Sequence, residues 1–135
     1  MQTRTGGSQR KPVRVLVVDD LAFMREAVRD ALADTELTVV GEAHNGRDAL
    51  TMYQTHAPDV VLLDIAMPQM DGITALGRLM RIDPAARVVM CSAMDEQQLI
   101  IRAIQLGARD FVVKPFRPER IISAVRKAAG YRERV

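Results

Sequence analysis

One cysteine and no tryptophan occur in the 135 residues, and the aromatic complement stops at three phenylalanines and two tyrosines. A lone thiol cannot form an intrachain disulfide, so nothing in the chain demands an oxidising compartment. Cys91 lies in the apolar run VVMCSA and reads as a small buried strand residue, since a reactive thiol needs an electropositive, partly exposed setting. The two histidines, His44 and His56, are isolated, which leaves a phosphohistidine carrier without a supporting constellation and both side chains structural. No apolar stretch approaches the ~20 residues of a membrane span, and the opening MQTRTGGSQRKP lacks the apolar centre of a signal peptide. A cytoplasmic protein without membrane insertion is expected. A strong excess of one charge is missing too: 19 lysines and arginines face 17 aspartates and glutamates, and the basic residues are scattered along the chain instead of forming a stripe. A pI near 9.0 is then no argument for direct nucleic-acid binding.

What is present is a regular alternation. The length suits one domain with a real core. Residues 1–12, polar, basic and glycine-bearing, read as a disordered tail, and 13–135 as the folded unit. Strand-like runs are expected at Arg14 to Val18, Thr38 to Ala43, Val60 to Leu63, Arg87 to Cys91 and Asp110 to Val113. Between and after them, helical spacing predicts Leu21 to Ala33, Gly46 to His56, Gly72 to Ile82, Glu96 to Leu106 and Pro118 to Ala129. Met24, Ala27, Val28, Ala31 and Leu32 would form the buried face of the first helix, and Ile121, Ile122, Val125, Ala128 and Ala129 that of the last. Breakers agree: Asn45-Gly46 opens the second helix, Asp83-Pro84 ends the third, Gly107 follows the fourth and Pro118 suits a first helical turn. Five βα units argue for a parallel sheet with helices on both faces.

Three of those runs end in polar residues: Asp19-Asp20 after VLVV, Asp64 after VVLL and Lys114 after FVV. Parallel pairing brings all four to one sheet edge. Three carboxylates held together repel, and at least one would protonate unless a cation joined them. The ligands on offer are oxygens, which suit Mg²⁺ or Mn²⁺ better than zinc. Mg²⁺ takes only one or two carboxylates and completes its shell with water and phosphate oxygens, so the pocket reads as a phosphoryl site. Asp19-Asp20 alone could simply cap a helix, and Asp71-Gly72 reads as an ordinary turn without a catalytic role.

VLVVDD, LLDIAMPQMDG, CSAM and VVKPF, in that order, resemble the receiver domain of bacterial two-component response regulators. The likeness covers nearly all the chain after residue 12, and DDLAFMR with the stretch from Arg87 to Phe116 is most similar to the small single-domain CheY type. It implies an α/β flavodoxin-like (βα)5 three-layer sandwich with parallel strand order 2-1-3-4-5 and its site at the carboxyl ends of the strands, a rule of which this family is itself a standing example. Carried over by residue, it implies Asp64 as phosphoryl acceptor. Asp20 and Asp64 would hold Mg²⁺ directly, Asp19 mainly through water, and Ala66 would add a backbone carbonyl. Ser92 and Lys114 would meet the phosphoryl oxygens, with the Lys114-Pro115 bond cis. The implied switch pairs Ser92 with Phe111, a ring that fills space but offers no hydroxyl for partner recognition. Ala66 and Met94 flank the phosphoryl group, and since neither activates water, slow unassisted loss of phosphate is expected.

The implied partners are a sensor histidine kinase and a protein target such as the flagellar motor switch, met through the fourth helix, fifth strand and fifth helix. Leu99, Ile100, Ile101, Ala103, Ile104 and Leu106 already make the fourth helix apolar beyond one face. Two other readings stand beside this one. A receiver excised from a methylesterase or a DNA-binding regulator would look the same, although the stop at YRERV favours a free-standing protein. A metal-dependent phosphatase using Asp64 on a small metabolite would need a general acid that the sequence does not offer. The eight methionines read mainly as core fillers, Met67 and Met94 beside the site being the exceptions.

Overall fold

Five short valine- and leucine-rich runs build one parallel sheet in the computed structural model, which describes residues 11–93 and 95–130. The order along the chain is β1 (Val13–Val18), α1 (Ala22–Leu32), β2 (Leu37–Ala43), α2 (Gly46–His56), β3 (Val60–Asp64), α3 (Gly72–Ile82), β4 (Val88–Ser92), α4 (Gln97–Leu106), β5 (Asp110–Val113) and α5 (Pro118–Ala128). The sheet runs β2-β1-β3-β4-β5, with every pairing parallel. This is the flavodoxin-like sandwich that the motifs implied. Met94, YRERV and all of the expected tail except Lys11 and Pro12 lie outside the described residues.

Alternation along the strands divides two cores. Val15, Val17, Val60, Leu62, Val89, Cys91 and Val112 face α1 and α5, which contribute Val28, Leu32, Ile121, Ala124 and Val125. Leu16, Val18, Val61, Leu63, Val88 and Met90 face α2, α3 and α4, against Ala49, Tyr53, Leu76, Leu79, Ile100 and Ala103. Burying both faces of a central strand is what a run without polar interruption permits, and each fully buried leucine contributes about 2 kcal/mol. The helix faces match expectation with small differences: Ala124 joins the buried set of α5, while Met24 and Ala27 of α1 are only half-buried.

Local chemistry sets the helix ends. The Asn45 side chain accepts the Asp48 N–H at 2.7 Å, and Asp71 accepts the Thr74 N–H at 2.9 Å. Gly107 closes α4 at φ +116°, and Pro118 opens α5. Two strands reach one residue further than the apolar runs: Asp64 pairs with Cys91, and Ser92 with Val113. Both polar side chains are therefore held by ladder geometry instead of loop geometry. The chain order reverses at β1, whose neighbours are β2 and β3, and the loops after β1 and β3 part there to leave a crevice at the carboxyl edge.

Candidate functional site

Among the described residues only three polar side chains are buried, Asp19, Asp64 and Ser92, and all three stand at that carboxyl edge. Buried polar groups are costly unless they are paired, so their gathering in one place marks the site. Lys114, at the end of β5, spans two of them: its Nζ lies 2.9 Å from Asp19 Oδ2 and 3.0 Å from Asp64 Oδ1. The Lys114-Pro115 bond is cis, as the resemblance implied, and the Lys114 N–H donates to the Ser92 carbonyl at 2.8 Å.

Asp19 is fixed at every polar atom. Its N–H donates to the Ala43 carbonyl at 3.0 Å, its Oδ1 accepts the Leu21 N–H at 3.0 Å, and its own carbonyl accepts from Arg25 at 2.7 Å. It thus does part of the capping work of the simpler reading, since Leu21 at the N-cap of α1 supplies no side-chain bond. Asp20 is half-exposed and its carboxylate has no hydrogen-bond partner among the described residues.

One oxygen from each of Asp19, Asp20 and Asp64 falls within 4.8 Å of the others. Burial pushes the Asp64 carboxyl up to about 6; Lys114 pulls it back, and the charges of Asp19 and Asp20 push it further up. Burial by itself would lower the Lys114 ammonium, but its bond to Asp19 and the charge and bond of Asp64 outweigh that and raise it. One ammonium does not neutralise three carboxylates. An all-oxygen donor set with a charge deficit fits a hard divalent cation, with Ala66, exposed just past β3, close behind in sequence. The Ser92 hydroxyl, 1% exposed, has no partner among the described residues. It lines a cavity of about 370 Å³ together with Ala93, Ile100 and Phe111, and Phe111 is 37% exposed. Cys91 is buried and its thiol is pushed up to about 12 by that burial, which keeps it out of the chemistry.

Gly72 has a larger part than the turn expected of it. A Cβ there would meet the Asp64 carbonyl oxygen at 2.1 Å and the Ile65 Cα at 2.8 Å. Its N–H donates to the Ile65 carbonyl at 2.7 Å, so the start of α3 is pressed against the backbone that carries Asp64. The available signal was a glycine in the first turn of a helix, where better helix formers are the rule. Met94, the other expected flanking residue, lies outside the described residues.

Residues 15–126 match the response regulator receiver domain family. The chain is 52% identical over 114 residues to the chemotaxis protein CheY of Bacillus subtilis, covering 84% of this chain and 95% of that one. It is 48% identical over 116 residues to CheY of Thermotoga maritima, covering 86% and 97%. In the solved CheX-CheY-BeF3-Mg+2 complex from Borrelia burgdorferi, the matching chain is 35% identical with a TM-score of 0.82, covering 87% of this chain and 89% of that one. These relatives are matched almost end to end, so a receiver excised from a longer effector is not the favoured reading. The chain belongs to the response regulator receiver domain family, as a CheY-like member of it.

Proposed function

We propose that this protein is a phosphorylation-activated switch of chemotaxis signalling: Asp64 takes a phosphoryl group from a sensor histidine kinase, and the altered surface then binds a protein target. The observation that carries the reading is that the buried polar side chains among the described residues, Asp19, Asp64 and Ser92, stand at one sheet edge, with the two carboxylates bonded to one lysine. A carboxylate attacking phosphorus approaches an electron-rich centre, so positioning and charge neutralisation supply most of the acceleration. Asp64 is the acceptor in this reading because β3 holds its backbone and its Oδ2 accepts no hydrogen bond among the described residues, whereas both carboxylate oxygens of Asp19 are engaged by Leu21 and Lys114. Lys114 donates to Asp64 before transfer and can turn the same N–H groups to a phosphoryl oxygen afterwards. Bound Mg²⁺, held by Asp19, Asp20, Asp64 and the Ala66 carbonyl, would supply the remaining positive charge; Mn²⁺ offers the same preference for oxygen. The Borrelia relative was solved with BeF3 and Mg²⁺, which supports carrying both ligands to these residues.

Ser92 makes the site a switch. Its hydroxyl has no partner among the described residues, so a phosphoryl oxygen offers it a bond available in one state only. Movement of Ser92 toward that oxygen would enlarge the cavity it shares with Phe111, and the ring can swing in to fill it. The target would meet the face of α4, β5 and α5, where Leu99, Ile101, Ile104, Phe111 and Val113 are exposed. Self-phosphorylation and self-dephosphorylation are the only turnover proposed, in the cytoplasm, within a receiver unit spanning 13–135 preceded by a tail at 1–12. The test is label transfer from an autophosphorylated chemotaxis histidine kinase: kinase label should fall as protein label rises, only with Mg²⁺. Retention of all label on the kinase would contradict the reading.

A further inference from the structure

Asp20 presents a puzzle that the metal reading alone does not answer. Its carboxylate contributes to the cluster yet has no hydrogen-bond partner among the described residues, so its backbone is what aims it. That backbone is fixed by its neighbour. The Asp19 carbonyl belongs to the peptide plane joining Asp19 to Asp20, and it accepts from Arg25 Nη1 at 2.7 Å. Arg25 is held in turn from β2, because its Nε donates to Glu42 Oε1 at 3.1 Å. Arg29, one turn further along α1, bonds the other oxygen of the same carboxylate. Glu42 precedes Ala43, whose carbonyl accepts the Asp19 N–H, so β2 grips Asp19 at its N–H directly and at its carbonyl through Arg25.

We infer that Arg25 is a positioning residue for the divalent cation: through the Asp19 carbonyl it sets the plane from which the Asp20 carboxylate departs, and Glu42 keeps its guanidinium aimed there. The inference rests on the Mg²⁺ reading of the carboxylate cluster. A second consequence follows from charge. Without Glu42, the Arg25 cation, already bonded to the Asp19 carbonyl, would be free to turn to the neighbouring carboxylates and compete with the metal. The ion pair with Glu42 gives the guanidinium a carboxylate outside the site and leaves its remaining donors for a neutral carbonyl. The fork geometry is what serves two acceptors at once; a lysine ammonium at this position cannot reproduce it.

Electrostatics and positioning predict opposite signs, which makes the inference testable. Removing a cation near the site should tighten Mg²⁺ binding if charge alone matters, whereas loss of positioning should weaken it. The experiment is calorimetric titration of Mg²⁺ into wild type, Arg25→Ala and Arg29→Ala, with unfolding of each measured in EDTA. Arg25→Ala should bind Mg²⁺ about tenfold more weakly, the scale seen when a partner behind a metal ligand is removed. Arg29→Ala takes a cation from the same glutamate without touching Asp19 and should keep wild-type affinity. A purely structural role would lower the EDTA unfolding midpoint and leave Mg²⁺ affinity unchanged. Unchanged or tighter binding by Arg25→Ala would overturn the inference while leaving the metal site standing; failure of wild type to bind Mg²⁺ would overturn both. If Arg25→Ala does not fold, Arg25→Lys decides: weaker binding supports the role of the fork, and wild-type affinity refutes it.

Discussion

The Lys114 ammonium and the Asp64 carboxylate lie 3.0 Å apart, yet Asp64 remains a weaker acid than a free aspartate. Burial and the neighbouring Asp19 and Asp20 outweigh the lysine. One ammonium among three carboxylates leaves the cluster short of positive charge, which is what a divalent cation would supply.

The pH dependence of stability should reveal it. A carboxyl raised to about 6 in the folded state and 3.8 otherwise keeps its proton longer in the native form. Its contribution is fully present below pH 4 and is lost as pH rises through 6, roughly 3 kcal/mol at about 1.4 kcal/mol per unit. Asp64→Asn should therefore be more stable than wild type at pH 7 in EDTA, with the gap closing toward pH 4. Urea unfolding of both proteins across this range checks it.

Mg²⁺ should reverse the order. Binding to the native state alone stabilises wild type in proportion to the logarithm of metal concentration. Thermal unfolding should show wild type rising with Mg²⁺ and Asp64→Asn responding much less.

Lys114→Met should be costly for the opposite reason. It leaves two buried carboxylates without their shared ammonium, a change on the order of 3 kcal/mol in EDTA. Mg²⁺ should restore much of the lost stability, because it replaces the missing charge, while the rate of phosphoryl uptake stays depressed.

Gly72→Ala tests the backbone contact. Its Cβ must displace the Asp64 carbonyl or move α3, and both are backbone, so a loss of at least about 2 kcal/mol is expected. The same shift moves Asp64, so Mg²⁺ affinity should fall with stability in a joint denaturation and titration experiment.

These residues also show which parts of the site could be read in advance. Asp19, Asp64 and Lys114 were legible because each closes an apolar run, and one parallel sheet puts such run ends together. Gly72 was not, since Asp-Gly is ordinary turn chemistry and only the tertiary approach to Asp64 gives it meaning. Arg25 was hidden for a related reason: on α1 it looks like any polar-face residue, and its two acceptors come from the β1 end and from β2. The strand ends at Asp64 and Ser92 were missed by one residue because hydropathy marks where burial of apolar groups stops, whereas the ladder continues through polar residues.

Ser92→Ala separates phosphorylation from response. The hydroxyl has no partner among the described residues, so its removal should change stability by less than about 1 kcal/mol. Phosphoryl uptake should persist, but the Phe111 ring should no longer change environment, as its aromatic NMR signals would report.

The most direct test of the whole account is rapid-quench intact-mass analysis after adding acetyl phosphate and Mg²⁺. One phosphoryl group should appear on wild type, none on Asp64→Asn and none in EDTA. An adduct that survives in Asp64→Asn, or an unmodified wild type with Mg²⁺ shown to be bound, would contradict Asp64 as the acceptor.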